Sequence, residues 1–314
     1  MATPDVQRHA TAGDYLQLMK PRIMMLVVFT AAAGLVAAQS VSGQAIHPFM
    51  ASLSLLAIAI GSGAAGAINM WYDRDIDAVM ARTATRPIPS GAVPDNEALS
   101  LGMIMSGVSV ILMWVASNTL AAVLLAGSIA YYGWLYTMVL KRATPQNIVI
   151  GGGAGAFPPV IGWAAVTGNT PLDAWILFAI IFFWTPPHFW ALSLLAHGEY
   201  EKAGVPMLPV TNGAASTRSH ILVYTILMVP IGLAPVVTGL GGWVYLVVAA
   251  LLSAVFLRGA VKVFRSSAGD ETQTAADIKA AKGLFLFSIL YLFLLFAAII
   301  IERGFGLYWG VGAS

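Results

Sequence analysis

Long apolar runs separated by short polar connections set the pattern of the whole chain. About nine of these runs reach the roughly 20 residues needed to cross a bilayer core. They lie near 23–41, 49–69, 98–117, 120–140, 147–166, 174–196, 221–240, 243–263 and 283–301. The pattern predicts an all-α polytopic membrane protein with about nine transmembrane helices. Residues 1–22 are polar and lack the short apolar region and small-residue cleavage site of a secretory signal, so they read as a retained cytoplasmic arm. Residues 23–303 then form a single transmembrane domain, and 304–314 a C-terminal tail. The longest polar connections, 70–97 and 197–220, follow the second and sixth spans.

Charge orients this pattern. With the N-terminus in the cytoplasm, one side collects Arg8, Lys20, Arg22, Arg74, Arg82, Arg86, Lys141, Arg142, Lys202, Arg218, Lys262, Arg265, Lys279 and Lys282. Arg258 falls a turn inside the eighth span, and Arg303 alone falls opposite. The asymmetry is the positive-inside bias of an odd number of helices, N-terminus in and C-terminus out. Chemistry is expected on the cytoplasmic face. Composition agrees: 59% of residues are hydrophobic and 10% charged, against about 25% charged in soluble domains. A formal charge of +2 gives no case for nucleic acid, and zero Cys removes disulfides, thiolate metal sites and Cys nucleophiles.

The richest connection reads INMWYDRDIDAVMARTATRPIPSG. Asn69, Asp73 and Asp77 recur every four residues, which places them on one helix face. Carboxylates at a membrane segment usually face a cavity, pair with a partner or hold an ion. Oxygen-only donors without His or Cys suit Mg²⁺, which bridges carboxylates to a substrate's phosphates. Asp75 points to another face, where Arg74 or Arg82 can pair with it. Arg82 and Arg86 also stand four apart, before Pro87, Pro89 and Gly91 break the helix. Two roles fit these arginines: a bidentate clamp on diphosphate oxygens, or topology alone.

Three further clusters stand out. Lys141, Arg142 and Gln146 precede a fifth span whose Gly151, Gly152, Gly153 and Gly155 serve close helix packing better than ligand binding. His188 follows Pro186 and Pro187, which should kink the sixth span and free carbonyls. With Phe183, Trp184, Phe189 and Trp190 around it, His188 either walls a flat hydrophobic substrate or is a satisfied packing residue. His197, Glu199, Tyr200, Glu201 and Lys202 form a polar cluster at the end of that span.

These features resemble the UbiA-type intramembrane prenyltransferases. The segments KPRIMMLVVFTAAAG, DRDIDAVMARTATRPIPSG, LKRATPQNIVIGGGAGAFPPVIGWAAVTG and TPPHFWALSLLAHGEYEKAGVPMLPV look like the heme-farnesylating branch of that superfamily, from about Lys20 to Pro209. The resemblance implies farnesyl diphosphate and heme B as substrates, heme O as product, and Mg²⁺ held by Asn69, Asp73 and Asp77 as the catalytic set. It implies substrate contacts from Arg22, Arg82, Arg86, Lys141, Arg142, His188, His197, Glu199, Tyr200 and Lys202. It also implies a bacterial inner membrane, and contact with heme A synthase or oxidase assembly proteins. Where most of the superfamily has a second Asp-rich motif, this chain has Glu199, Tyr200 and Glu201. The alternatives are a prenyltransferase with a quinone, chlorophyll or lipid acceptor, a transporter whose ion-coupling carboxylates would belong nearer the bilayer midplane, and a non-catalytic oxidase assembly factor.

Overall fold

The computed structural model describes residues 10–307; Arg8 and most of the C-terminal tail lie outside them. All regular structure among the described residues is helical, and nine helices there are long and apolar enough to cross a membrane. They are Pro21–Ser42, Pro48–Tyr72, Asp95–Ala116, Thr119–Ala143, Asn147–Thr167, Leu172–Leu195, Leu208–Val237, Trp243–Phe264 and Ala275–Gly304. Each packs against its successor, and the ninth returns to the first and sixth. The fifth span is the most enclosed of the nine.

Small residues let the inner helices approach. A Cβ on Gly34 would lie 2.1 Å from the Pro159 carbonyl oxygen, and one on Gly162 would lie 2.1 Å from that of Ala31. The first and fifth spans therefore cross backbone to backbone, a contact only glycine permits. Gly151, Gly152 and Gly153 work similarly, each lying against a side chain, of Tyr136, Thr185 and Tyr131 respectively. The packing reading of this run holds for those three, while a Cβ on Gly155 would meet open space.

Two boundaries differ from the sequence pattern. The seventh span starts at Leu208 rather than near 221, after a Met207 cap and with Pro209 in the first turn. Its polar residues Thr217 and Arg218 are buried and bonded inside the fold, Thr217 Oγ1 to Gly213 O and Arg218 Nη1 to Ala268 O, so the hydropathy signal there is masked. Gly213 breaks this helix with φ 80° and ψ 162°, a conformation open to glycine. The ninth span starts at Ala275, where Thr274 and Asp277 form a reciprocal capping box. The sixth span runs as one continuous helix through Pro186 and Pro187.

The N-terminal arm contains a short helix, Ala12–Leu18, capped by Thr11. Tyr15 donates a hydrogen bond to Glu97 at the start of the third span. Gly63 and Gly66 of the second span leave room for Met19, Leu18 and Lys20. Lys20 then takes a left-handed conformation, φ 51°, immediately before Pro21, a backbone state that costs a residue with a Cβ about 1 kcal/mol.

Candidate active site

The second span ends at Tyr72, and a short helix, Arg74–Val79, follows. The helical register survives the junction. Asp73 N–H donates to Asn69 O at 2.9 Å, and Asp77 N–H donates to Asp73 O at 2.8 Å. The four-residue repeat therefore stays continuous, and all three side chains are buried. Thr83 Oγ1 donates to Asp77 O at 2.9 Å and folds the following turn back over the site.

Cations surround this face. Lys141 Nζ lies 2.5 Å from Asp73 Oδ2, Arg86 Nη1 lies 2.6 Å from Asp77 Oδ2, and Lys20 Nζ donates to Asn69 Oδ1 at 2.5 Å. Asn69 Nδ2 in turn donates to Asp73 Oδ2 at 2.7 Å and to Thr137 Oγ1 at 3.0 Å. Thr137 sits in a π-helical stretch, Tyr131–Leu140, and its hydroxyl donates to Tyr132 O five residues back at 2.7 Å. Such stretches recur at functional sites because the wider turn re-aims a side chain. Here it brings Thr137 against Asn69.

Two cations thus pair with the two carboxylates and a third, Lys20, with the amide between them, in a partly dehydrated place. Lys20 registers the excess: burial first, then the charges of Arg86 and Lys141, push its pKa down to about 7, against the pull of Asp73 and Asp77. Asp73 Oδ1 is buried and accepts no hydrogen bond, although Arg142 Nη2 lies 3.9 Å away. A buried carboxylate oxygen without a donor carries a desolvation penalty, which a bound cation would remove. The donor set is all oxygen, and the described residues contain no group of three His, Cys, Asp or Glu that could enclose an ion. That chemistry fits Mg²⁺, which binds through one or two carboxylates and completes its shell with water and substrate phosphates.

The other sequence candidates make separate contacts. Arg82 Nη2 donates to Tyr200 Oη at 3.3 Å and ties the two long connections together. Beneath that contact Ile76, Met80, Ile148, Tyr200, Val205 and Met207 form an apolar cluster. Arg142 makes a two-pronged pair with Asp75 at 2.6 and 2.8 Å, which holds the Asp75 carboxyl down at about 2. The partner expected for Asp75, Arg74 or Arg82, is thereby corrected: Arg74 pairs with Asp95 at 3.5 Å. The fourth span crosses close to the second, so a residue distant in sequence displaces the local partner.

Arg22 is exposed and takes no part in the network of described contacts around Asp73. Lys202 is exposed and His197 half-buried on a short helix, His197–Lys202, where Glu199 Oε2 is buried without a hydrogen bond. His188 belongs to another interface. Its Nδ1 is 2.6 Å from Ser288 Oγ, and its ring stacks between Trp184 and Phe285, with centroids 4.3 and 4.8 Å away. It bonds to a hydroxyl of the ninth span, not to a carbonyl freed by the prolines.

Lys20 and Thr137 were not singled out by sequence reasoning. Lys20 left a faint signal, a cation directly before the Pro that opens a span. Thr137 left none, because π-helical geometry has no short sequence signature.

The chain is thus an all-helical membrane bundle with a buried, cation-ringed carboxylate pair at one end. The UbiA prenyltransferase family profile matches residues 27–290, and the chain belongs to that family; it is a prenyltransferase. A relative from Hyphomonas neptunium named protoheme IX farnesyltransferase is 70% identical over 310 residues, 99% of this chain and 97% of its own. One from a Caulobacter species with the same name is 55% identical, covering 98% and 93%. Among solved structures, a UbiA homolog from Aeropyrum pernix superimposes with TM-score 0.70 at 21% identity, over 90% of this chain and 98% of that one. A UbiA homolog from Archaeoglobus fulgidus bound to GPP and Mg²⁺ gives 0.61 at 16%, over 91% and 99%. These two likenesses show the fold.

Proposed function

We propose that the chain transfers a farnesyl group from farnesyl diphosphate to a vinyl group of heme B, with addition of water, giving heme O. The 70% identical relative supports the acceptor and the prenyl chain. The observation that carries the donor side is the convergence of the basic groups of Lys20, Lys141 and Arg86 on Asn69, Asp73 and Asp77, an arrangement that suits a polyanion.

Asp73, Asp77 and Asn69 would hold Mg²⁺, which when bound neutralises charge on the diphosphate. Lys141 and Arg86, now on carboxylates, and Lys20, now on the Asn69 amide oxygen, are placed to turn to phosphate oxygens, so that the leaving group is met by cations already at the site. The allylic C–O bond breaks with its electron pair leaving on diphosphate. The vinyl π electrons form the new C–C bond to the farnesyl carbon. Water adds to the resulting cation and loses a proton. This sequence uses no protein nucleophile. The half-buried rings of Tyr132 and Tyr136, stacked with centroids 5.4 Å apart, and with Lys20 Nζ 5.9 Å from the Tyr132 centroid, would shield an early carbocation from bulk water.

The charge asymmetry supports an active site on the cytoplasmic face, and the bacterial relatives support an inner membrane. The experiment is direct: incubate purified protein with Mg²⁺, heme B and farnesyl diphosphate and look for heme O by mass spectrometry. Heme O is expected, and chelation of Mg²⁺ should abolish it. Diphosphate release with a quinone or lipid acceptor but not with heme would overturn the acceptor while leaving prenyl transfer intact.

A further inference from the structure

The eighth span packs against the seventh and ninth and carries an unusual stripe on its outer side. Leu251, Val255, Arg258, Lys262 and Arg265 follow one another at four- and three-residue steps, so they share one face, and all five are exposed. The face is apolar for its first part and cationic for its last. Arg258 lies six residues before the helix end, about 9 Å along the axis, within the apolar length of the span. None of the three cations forms an ion pair with a described residue.

Beside them is a groove of about 460 Å³ between the eighth and ninth spans, lined by Arg258, Lys262, Arg265, Ser266, Asp277 and Ala280. Its one carboxylate is already engaged, because Asp277 Oδ2 accepts from Thr274 N–H at 2.9 Å and from Thr274 Oγ1 at 2.8 Å. A cation inside the hydrocarbon length is costly unless it reaches an interfacial partner. A groove between spans whose three cations outnumber its one carboxylate, itself turned to Thr274, suits a lipid headgroup.

We propose that this groove binds the phosphate of an anionic membrane phospholipid, with an acyl chain lying along Val255 and Leu251. The order of the stripe matches the order of a lipid, tail toward the bilayer centre and phosphate at the helix end. The inference does not depend on the identity of the prenyl acceptor.

The test uses the full chain in nanodiscs of equal phosphatidylcholine and phosphatidylglycerol, with retained lipids counted by native mass spectrometry after mild release. Wild type should retain phosphatidylglycerol preferentially, and each cation removed in the series R258Q, K262Q, R265Q should lower that preference by roughly fivefold. K279Q/K282Q, which removes two cations outside the groove lining, should retain lipid like wild type; an equal loss would reduce the effect to general surface charge and overturn the site. Wild type itself provides a readout that needs no variant: absence of preference for phosphatidylglycerol, or its complete displacement by excess inorganic phosphate, would also overturn it.

Discussion

At the scale of single residues, Asp73 decides the most. It is wholly buried and paired with Lys141, so Asp73→Asn removes a charge and strands an ammonium. Turnover should fall at least ~100-fold, in the range expected when an electrostatic element is removed from a preorganised site. Stability should drop by about 3 kcal/mol, because breaking a buried pair leaves an uncompensated charge. Adding Lys141→Met should recover most of that stability and none of the activity. Thermal melts and heme O assays on the two variants read the effects separately, and undiminished turnover in Asp73→Asn would remove the residue from the active site. His188 offers a different discrimination. With Nδ1 on Ser288 and both ring faces covered, only Nε2 or the ring edge is open to a porphyrin. His188→Ala should raise the apparent KM for heme or shift the Soret band of bound heme, with farnesyl diphosphate binding spared. An unchanged spectrum and affinity would leave His188 as a packing residue.

At the scale of elements, helix crossings and helix ends carry the stability. Gly162→Ala would push a methyl into the Ala31 carbonyl, and separating the first and fifth spans should cost at least about 2 kcal/mol. The same substitution at Gly155, which meets open space, should be nearly silent in the same thermal melts. On the side opposite the site, Glu302 is fully buried and accepts from the N–H groups of Gly242 and Tyr245, at 2.5 and 3.0 Å, at the start of the eighth span. Arg303 donates to Leu240 O at 2.8 Å and to Gly239 O. The single cation on that side is thus part of a helix-end lock. Glu302→Ala should leave two amide donors unsatisfied and cost roughly 2 kcal/mol; Glu302→Gln, which keeps an acceptor, should cost less. Equal losses in the two variants would show that the lock does not work through these hydrogen bonds.

At the scale of the whole molecule, each span reverses the direction of the one before. Lys20, Asp73, Lys141 and His197 therefore share one end of the bundle, and Glu302 and Arg303 the other. The charge bias predicts that the first end faces the cytoplasm. Because the chain has no Cys, Thr85→Cys and Glu201→Cys, both exposed positions in the long connections, provide a labelling test without background. Neither should react with an impermeant thiol reagent applied outside intact cells; labelling of both would invert the orientation.

The division between what was legible and what was not follows from the range of the forces involved. Hydrocarbon imposes a length and an apolar composition on every span, a requirement met residue by residue, so nine spans could be counted from the chain alone, and the repeat of Asn69, Asp73 and Asp77 needs only helical periodicity. Where a polar segment is satisfied inside the fold, that local signal fails: Thr217 and Arg218 hid the first turns of the seventh span. Partner choice failed for the same reason, since Asp75 meets Arg142 only because the second and fourth spans cross. The cations that ring Asp73 and Asp77, and above all Lys20 from the start of the first span, are brought together by packing. Local sequence determined the helices and one acidic face; which charges surround that face was decided by close helix crossings that no short-range pattern encodes.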